Sequence, residues 1–237
     1  MNIYETKLRL RSTDVGMERR LRPSVLLSWI QESAIAHTQE LGMGREKTLD
    51  KGLLWVVTMH SAKIERMPVY DEDVVLRTWP GPTMHLIFPR YFGLFSADGE
   101  ALVKASSLWS LIDSRTRSIV FPEKHGIIID GQTIGGEIPL PSPVRKAELK
   151  SCRSFTVPYS FVDLNGHMNN ARYLDLAEDC IYEEVQGREL KAFRMEFIRE
   201  VRLGDCLELS CGQFEDRWLI SGGAEKPAFR IELTYSR

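Results

Sequence analysis

The alternation of apolar and polar positions along this chain lays out one order of elements twice. Ile3–Leu10 reads as a strand. Pro23 then opens a helix to about Leu41, proline being favoured at the first helical position. Val25, Leu26, Leu27, Trp29, Ile30, Ala34, Ile35 and Ala36 make that helix apolar nearly all round, which predicts burial. Strands follow at Leu54–Arg66, Asp73–Trp79 and Leu86–Phe95, and a turn at Asp98-Gly99 leads into Ala101–Ile112. The second pass begins with a strand at Cys152–Pro158. A helix over Asn170–Val185 has Tyr173, Leu174, Ala177, Cys180, Ile181 and Val185 recurring at helical spacing. Phe193–Val201, Cys206–Gln213, Trp218–Ser221 and Ala228–Tyr235 read as strands. Between the passes, Pro122–Lys150 is broken by Gly126, Gly131, Gly135, Gly136, Pro139, Pro141 and Pro143, as a linker would be.

The two passes superpose by hand. Leu26, Leu27, Gln31 and Glu32 fall on Tyr173, Leu174, Glu178 and Asp179, while Val69 and Asp73 fall on Val201 and Asp205. One long helix wrapped by a curved antiparallel sheet is the hotdog arrangement. The expected fold is therefore α+β, with two tandem hotdog domains at 1–121 and 151–237 joined by a linker at 122–150. Neither half would easily cover both its helix and its sheet edge alone.

Composition narrows the function classes. A net charge of −2 gives no general field for nucleic acid, and no apolar run reaches the roughly 20 residues of a membrane span. The N-terminus has neither a signal-like nor a transit-like composition. Cys152, Cys180, Cys206 and Cys211 show no metal spacing and no disulfide framework, which predicts reduced structural thiols in a cytoplasmic setting.

The run Asp163-Leu164-Asn165-Gly166-His167-Met168-Asn169-Asn170 places a carboxylate, an amide and an imidazole at alternate positions just before the second helix. Three readings fit the spacing. Asx-Gly turns and helix caps use these residue types. A metal would find only one carboxylate and one imidazole, fewer ligands than metals usually take. The third reading is a catalytic cluster, with backbone N–H groups near Gly166–Asn169 as an oxyanion hole. Opposite Asp163, Asn165 and His167 the first half has Gly16, Glu18 and Arg20, and opposite Glu200 it has Pro68. A set confined to one copy favours chemistry over packing.

With those residues in view, the chain resembles the acyl-acyl carrier protein thioesterases, the bacterial relatives of the plant plastid enzymes. The likeness rests on Ile30-Gln31-Glu32-Ser33-Ala34, Leu54-Trp55-Val56-Val57-Thr58, Thr78-Trp79 and Ala105-Ser106-Ser107-Leu108-Trp109 in the first half. In the second it rests on Asp163-x-Asn165-x-His167-x-Asn169-Asn170-x-x-Tyr173 and on Phe197-Ile198-Arg199-Glu200. It implies hydrolysis of fatty acyl-carrier thioesters in fatty acid synthesis, with no cofactor and no metal. The implied catalytic set is Asp163, Asn165, His167 and Glu200, the last on the strand after the helix. Plant members carry a cysteine after that glutamate; Val201 stands there instead, which removes a cysteine acyl-enzyme. The resemblance also implies an acyl slot in the first half, for which Trp29, Trp55, Val57, Trp79 and Trp109 are candidates. Arg188, Lys191, Arg194, Arg199 and Arg202 are candidates for docking the acidic carrier. Tyr173 is expected to pack. An acyl-CoA thioesterase, a hotdog dehydratase and a non-catalytic acyl-binding protein stay open as alternatives, as does a homodimer.

Overall fold

The computed structural model describes residues 3–132 and 138–237. Gly135 and Gly136, expected in the linker, lie outside the described residues. The chain divides into two compact units, Met1–Leu21 with Trp29–Pro141, and Arg22–Ser28 with Ser142–Arg237.

In the first unit, strand β1 (Tyr4–Arg9) precedes helix α1 (Pro23–Glu40), which belongs to this unit from Trp29 onward, and strands β2 (Leu53–Ile64), β3 (Asp73–Pro80), β4 (Phe88–Ser96) and β5 (Ala101–Asp113). They pair antiparallel in the order β1-β3-β4-β5-β2. In the second unit, β6 (Lys150–Thr156) precedes α2 (Arg172–Val185), β7 (Leu190–Phe197), β8 (Cys206–Phe214), β9 (Arg217–Gly223) and β10 (Pro227–Tyr235). Their order is β7-β10-β9-β8-β6. Counted within its own unit, each sheet runs first, third, fourth, fifth, second. Every one of the predicted strands and both helices form, and each unit is a hotdog.

Burial follows the alternation. In β10, Phe229, Ile231 and Leu233 are at most 1% exposed, and α2 lies against β8, β9 and β10. Tyr173 on α2 sets its ring edge-to-face against Phe197 and Phe229, at 5.2 and 4.8 Å. Helix α1 departs from expectation: Leu26, Leu27 and Ile30 are buried, but Ile35 is 52% exposed. Its one-sided burial leaves a narrower apolar face than the sequence predicts. Residues 122–150 are not a bare tether either. Ile127 and Ile129 bury against Leu53, Phe88 and Leu111, so part of this stretch belongs to the first core.

One strand ends early. The predicted Phe193–Val201 stops at Phe197, because the amides of Ile198 and Arg199 both donate to the carbonyl of Ala228, at 2.8 and 3.0 Å. Two amides on one acceptor bulge the chain out of the ladder. Glu200 is consequently presented from a loop, not from a strand.

Candidate active site

Residues 162–168 form a tight hairpin closed by a bridge between Val162 and Met168. Asp163 N–H donates to the His167 carbonyl at 2.8 Å, and Gly166 N–H returns to the Asp163 carbonyl at 3.0 Å. Gly166 takes φ +77°, a left-handed conformation that glycine adopts at no steric cost. The Asp163 side chain stiffens the turn from inside: Oδ1 accepts the Asn165 N–H at 2.8 Å and the His167 N–H at 3.4 Å. Its second oxygen makes no hydrogen bond among the described residues.

The hairpin is anchored on the loop that follows β7. His167 bridges to Arg202, and Met168 N–H donates to the Val201 carbonyl at 2.7 Å. This pairing carries Glu200 to the imidazole: His167 Nε2 lies 3.0 Å from Glu200 Oε2. Both side chains are partly shielded, 20% and 35% exposed. Arg202 also reaches Glu200 Oε2, at 3.1 Å. Sequence reasoning offers Arg202 as a carrier-docking charge; its contact with this carboxylate is visible only through the bridge to His167. Asn165 sits at the exposed tip, its side-chain amide making no hydrogen bond among the described residues.

The first unit builds the same hairpin without the Asp163, Asn165 and His167 set. Val15 bridges to Leu21, Gly16 N–H donates to the Arg20 carbonyl at 2.9 Å, and Arg20 bridges to Val69. Arg19, at φ 59°, occupies the place of Gly166. Gly16, Glu18 and Arg20 therefore stand where Asp163, Asn165 and His167 do. The following loop corrects the hand superposition by one residue: Arg202, not Val201, takes the place of Val69. Glu65 and Arg66 both donate to Leu102 as Ile198 and Arg199 do to Ala228. The counterpart of Glu200 is thus buried Met67, not Pro68.

One expectation changes. The amides of Gly166, Met168 and Asn169 already donate to the carbonyls of Asp163, Val201 and Phe161, and that of His167 donates to Asp163 Oδ1. They do not form a ready oxyanion hole. The entry to α2 is held by Asn169, whose Oδ1 accepts the Ala171 N–H at 2.9 Å. Tyr173 packs as expected, but it also feels the site. Burial, with the carboxylates of Asp163 and Asp205 nearby, pushes its phenol well above the ordinary range.

The candidate slot residues of the first unit do not all share one face. Register places Trp55, Val57 and Trp109 on one side, where Trp55 stands edge-on to Phe88 at 4.7 Å. Trp109 Nε1 donates to Ser107 Oγ at 2.7 Å. Trp79 points to the opposite face, stacked on Tyr91 at 6.0 Å. Trp29 is half-buried on α1. The face bearing Trp55 also carries Arg90, which donates to His37 Nδ1 and Thr38 Oγ1, both at 3.0 Å. This buried guanidinium faces only neutral acceptors among the described residues. Burial lowers it to about 10, and burial with Arg90 lowers His37 to about 4.

The proposed carrier-docking charges are largely spent within the unit. Lys191 pairs with Glu189 at 2.7 Å, Arg194 with Glu232 at 2.6 Å, and Arg202 with Glu200. Arg199 donates to the Lys226 carbonyl. Arg188 alone of the five makes neither an ion pair nor a side-chain hydrogen bond among the described residues, and it is exposed.

Residues 1–124 match the acyl-ACP thioesterase N-terminal domain, and residues 144–235 match the C-terminal domain. The chain belongs to the acyl-ACP thioesterase family. Its relatives include the chloroplastic palmitoyl-acyl carrier protein thioesterase of Gossypium hirsutum, 25% identical over 84% of this chain and 52% of that one. The chloroplastic dodecanoyl-[acyl-carrier-protein] hydrolase of Cinnamomum camphora is 24% identical over 87% of this chain and 58% of that one. The chain thus spans a little over half the length of these curated relatives. In structure it is similar to an acyl-ACP thioesterase from Bacteroides thetaiotaomicron, with TM-score 0.91 and 24% identity over 99% of this chain and 98% of that one. The 12:0-ACP thioesterase of Umbellularia californica superposes with TM-score 0.84 at 20% identity, covering 100% and 98%. The tandem hotdog is therefore the family's fold.

Proposed function

We propose that this protein hydrolyses the thioester of fatty acyl-acyl carrier protein, releasing the free fatty acid and the carrier. One observation carries the reading: a hairpin present in both units bears Asp163, Asn165 and His167, with Glu200 on the imidazole, in only one of them. Membership of the family supports the substrate class.

In this reading the second oxygen of Asp163 takes the proton of the attacking water as its oxygen bonds the acyl carbon. The Asn165 side-chain amide donates to the carbonyl oxygen as negative charge gathers there, the role that the engaged backbone amides leave to a side chain. His167 gives a proton to the departing sulfur when the carbon–sulfur bond breaks. Glu200 fixes the ring through the Nε2 contact. It is a positioning group, with Arg202 holding it in turn. The N-terminal hotdog domain, residues 1–121, holds the acyl chain and the C-terminal domain, 151–237, breaks the bond. Trp55, Val57 and Trp109 lie on one face and support that assignment; Trp79, on the other face, has no part in it. The setting is cytoplasmic, which agrees with four free cysteines and with no helix long and apolar enough to cross a membrane among the described residues.

The test is thiol release across acyl chains of graded length, each presented on carrier protein and on CoA. Turnover on the carrier that exceeds turnover on matched CoA supports the reading. Preference for CoA overturns the carrier assignment, and no thiol release from either overturns the activity.

A further inference from the structure

Three neighbouring strands of the first unit bring buried polar side chains to one level. Register sets Arg90 of β4 beside Ser107 of β5, and Ser107 beside His60 of β2. They are 5%, 0% and 2% exposed. This is the face that α1 covers: Arg90 Nη1 donates to His37 Nδ1 and Nη2 to Thr38 Oγ1, each at 3.0 Å. Thr78 Oγ1 on β3 accepts a longer bond from Nη1, at 3.4 Å. Trp109 Nε1 donates to Ser107 Oγ at 2.7 Å, which ties the next level to this one.

His60 reaches the row through a bulge. Strict alternation from Trp55 and Val57 would turn Met59 toward the helix and His60 away from it. The β2–β5 register shifts between Val57 and Met59, which makes Thr58 the extra residue and reverses the alternation beyond it. Bulges of this kind re-aim side chains, and here the side chain re-aimed into the interior is an imidazole.

The row divides an otherwise apolar face into two compartments. At the next level on one side stand Phe92, Ala105 and Ala62, all buried, in a sealed aliphatic core. At the next level on the other side stand Phe88, Trp109 and Val57, with Trp55 beyond them. Trp55, Val57 and Trp109 are only half-buried, so this compartment still has apolar surface to give to a ligand. The guanidinium has more N–H groups than the three hydrogen bonds it makes, and it meets no carboxylate among the described residues. Methylene groups laid over it would strip the rest of its solvation and offer no polar partner in return. Methylene groups laid against the indoles gain apolar contact at no such cost.

We propose that Arg90, with Ser107 and His60, is the stop of the acyl slot: the chain lies against Trp55, Val57 and Trp109, and its methyl end does not pass the row. The guanidinium then sets the longest chain that is accepted. Arg90 is a specificity-determining residue and takes no part in breaking the bond. This rests on the assignment of the acyl chain to the N-terminal domain.

The test titrates the full chain with S-(2-oxoalkyl)pantetheines of graded chain length, uncharged thioethers that cannot be hydrolysed, and follows tryptophan fluorescence. Wild-type affinity should rise by about fourfold per added methylene and then reach a limit. In Arg90→Met the rise should continue, so that a chain two carbons past the limit binds roughly tenfold more tightly than it does to the wild type. Arg90→Lys keeps the charge and the limit. His60→Leu breaks the row at a second place and lifts the limit in the same direction, which covers the case of an Arg90→Met chain that fails to fold by circular dichroism. Trp79→Phe, on the opposite face, leaves the limit where it was. A wild type with no limit, or a folded Arg90→Met with the wild-type limit, overturns the proposal. Binding is read without turnover, so failure here and failure of thiol release are told apart.

Discussion

His167 Nε2 stands 3.0 Å from Glu200 Oε2, and the contact exists because a backbone bridge between His167 and Arg202 brings the hairpin and the loop after β7 together. Each residue belongs to a different segment, so neither could be placed against the other by local spacing. The pair should behave as one unit in catalysis. His167→Ala is expected to lower turnover by about 10²-fold or more, the usual scale for a positioned proton donor or acceptor. Glu200→Gln keeps an acceptor but removes the charge, so its loss should be smaller and should fall on turnover more than on substrate affinity. Adding Glu200→Gln to His167→Ala should cost little more, since coupled groups do not add. Steady-state kinetics of the two single variants and the double variant check this; additive losses would contradict it.

Asp163 stiffens the turn and, in the proposed reaction, takes the water's proton; one substitution can separate the two. Asp163→Asn retains an oxygen for the amides of Asn165 and His167, so thermal stability should hold while turnover falls by about 10²-fold or more. Asp163→Ala loses the acceptor as well and should cost a further ~1 kcal/mol of stability, the net worth of such a hydrogen bond. The sister hairpin, closed around Gly16 with no side-chain acceptor, argues that even this variant folds. Melting curves beside rates separate the two effects.

Gly166→Ala tests the turn itself. An added Cβ meets nothing within 4 Å, so the cost is conformational and not steric. Arg19 adopts the same left-handed region at the equivalent place. A loss of about 1–2 kcal/mol in denaturant unfolding is expected, with hydrolysis retained. Loss of activity without loss of stability would mean that the turn must move during turnover.

Glu178 gives the fold a pH dependence at its alkaline side. Half-buried on α2 with Asp175 and Asp179 near, its carboxyl is pushed up from 4.5 to about 8, burial being the larger cause. The folded chain therefore binds a proton that the unfolded chain has lost. This contribution is fully present below about 4.5 and disappears as pH rises through about 8. Glu178→Gln should remove that decline, measured as unfolding free energy between pH 5 and about 9.

The acid side is set by two histidines of the first unit. Burial lowers His60 from 6.5 to about 3, and burial with the Arg90 charge lowers His37 to about 4. Their folded forms refuse protons that the unfolded chain accepts, so stability is present above 6.5 and is lost as pH falls toward those values. His60→Leu should shift the acid unfolding transition to lower pH. No shift in an acid titration followed by tryptophan fluorescence would count against this assignment.

Much of this was legible in the residues, for reasons that vary with the element. Period-two and helical patterns reflect which face is buried, and those set both helices and the strands of each unit. The early end of β7 was not legible, because it depends on the carbonyl of Ala228, far along the chain. The counterpart of Glu200 was misplaced by one residue for the same kind of reason: Pro68 and Met67 differ in no local signal, and only the paired amides fix the register. The motif around Asp163 was readable because its partners lie within one turn. Arg202, and the occupation of the amides near Gly166, were not readable, since both follow from contacts across the hairpin and the loop.

The duplicated hairpin has a consequence for how this protein tolerates change. Val15–Leu21 reaches the same loop geometry with an arginine in the left-handed corner and glycine in place of Asp163, so the backbone path forms without the carboxylate that stiffens it in the second unit. The turn can thus carry other side chains at positions 163, 165 and 167, and its first-unit counterpart is a template on which a second reaction centre could be written.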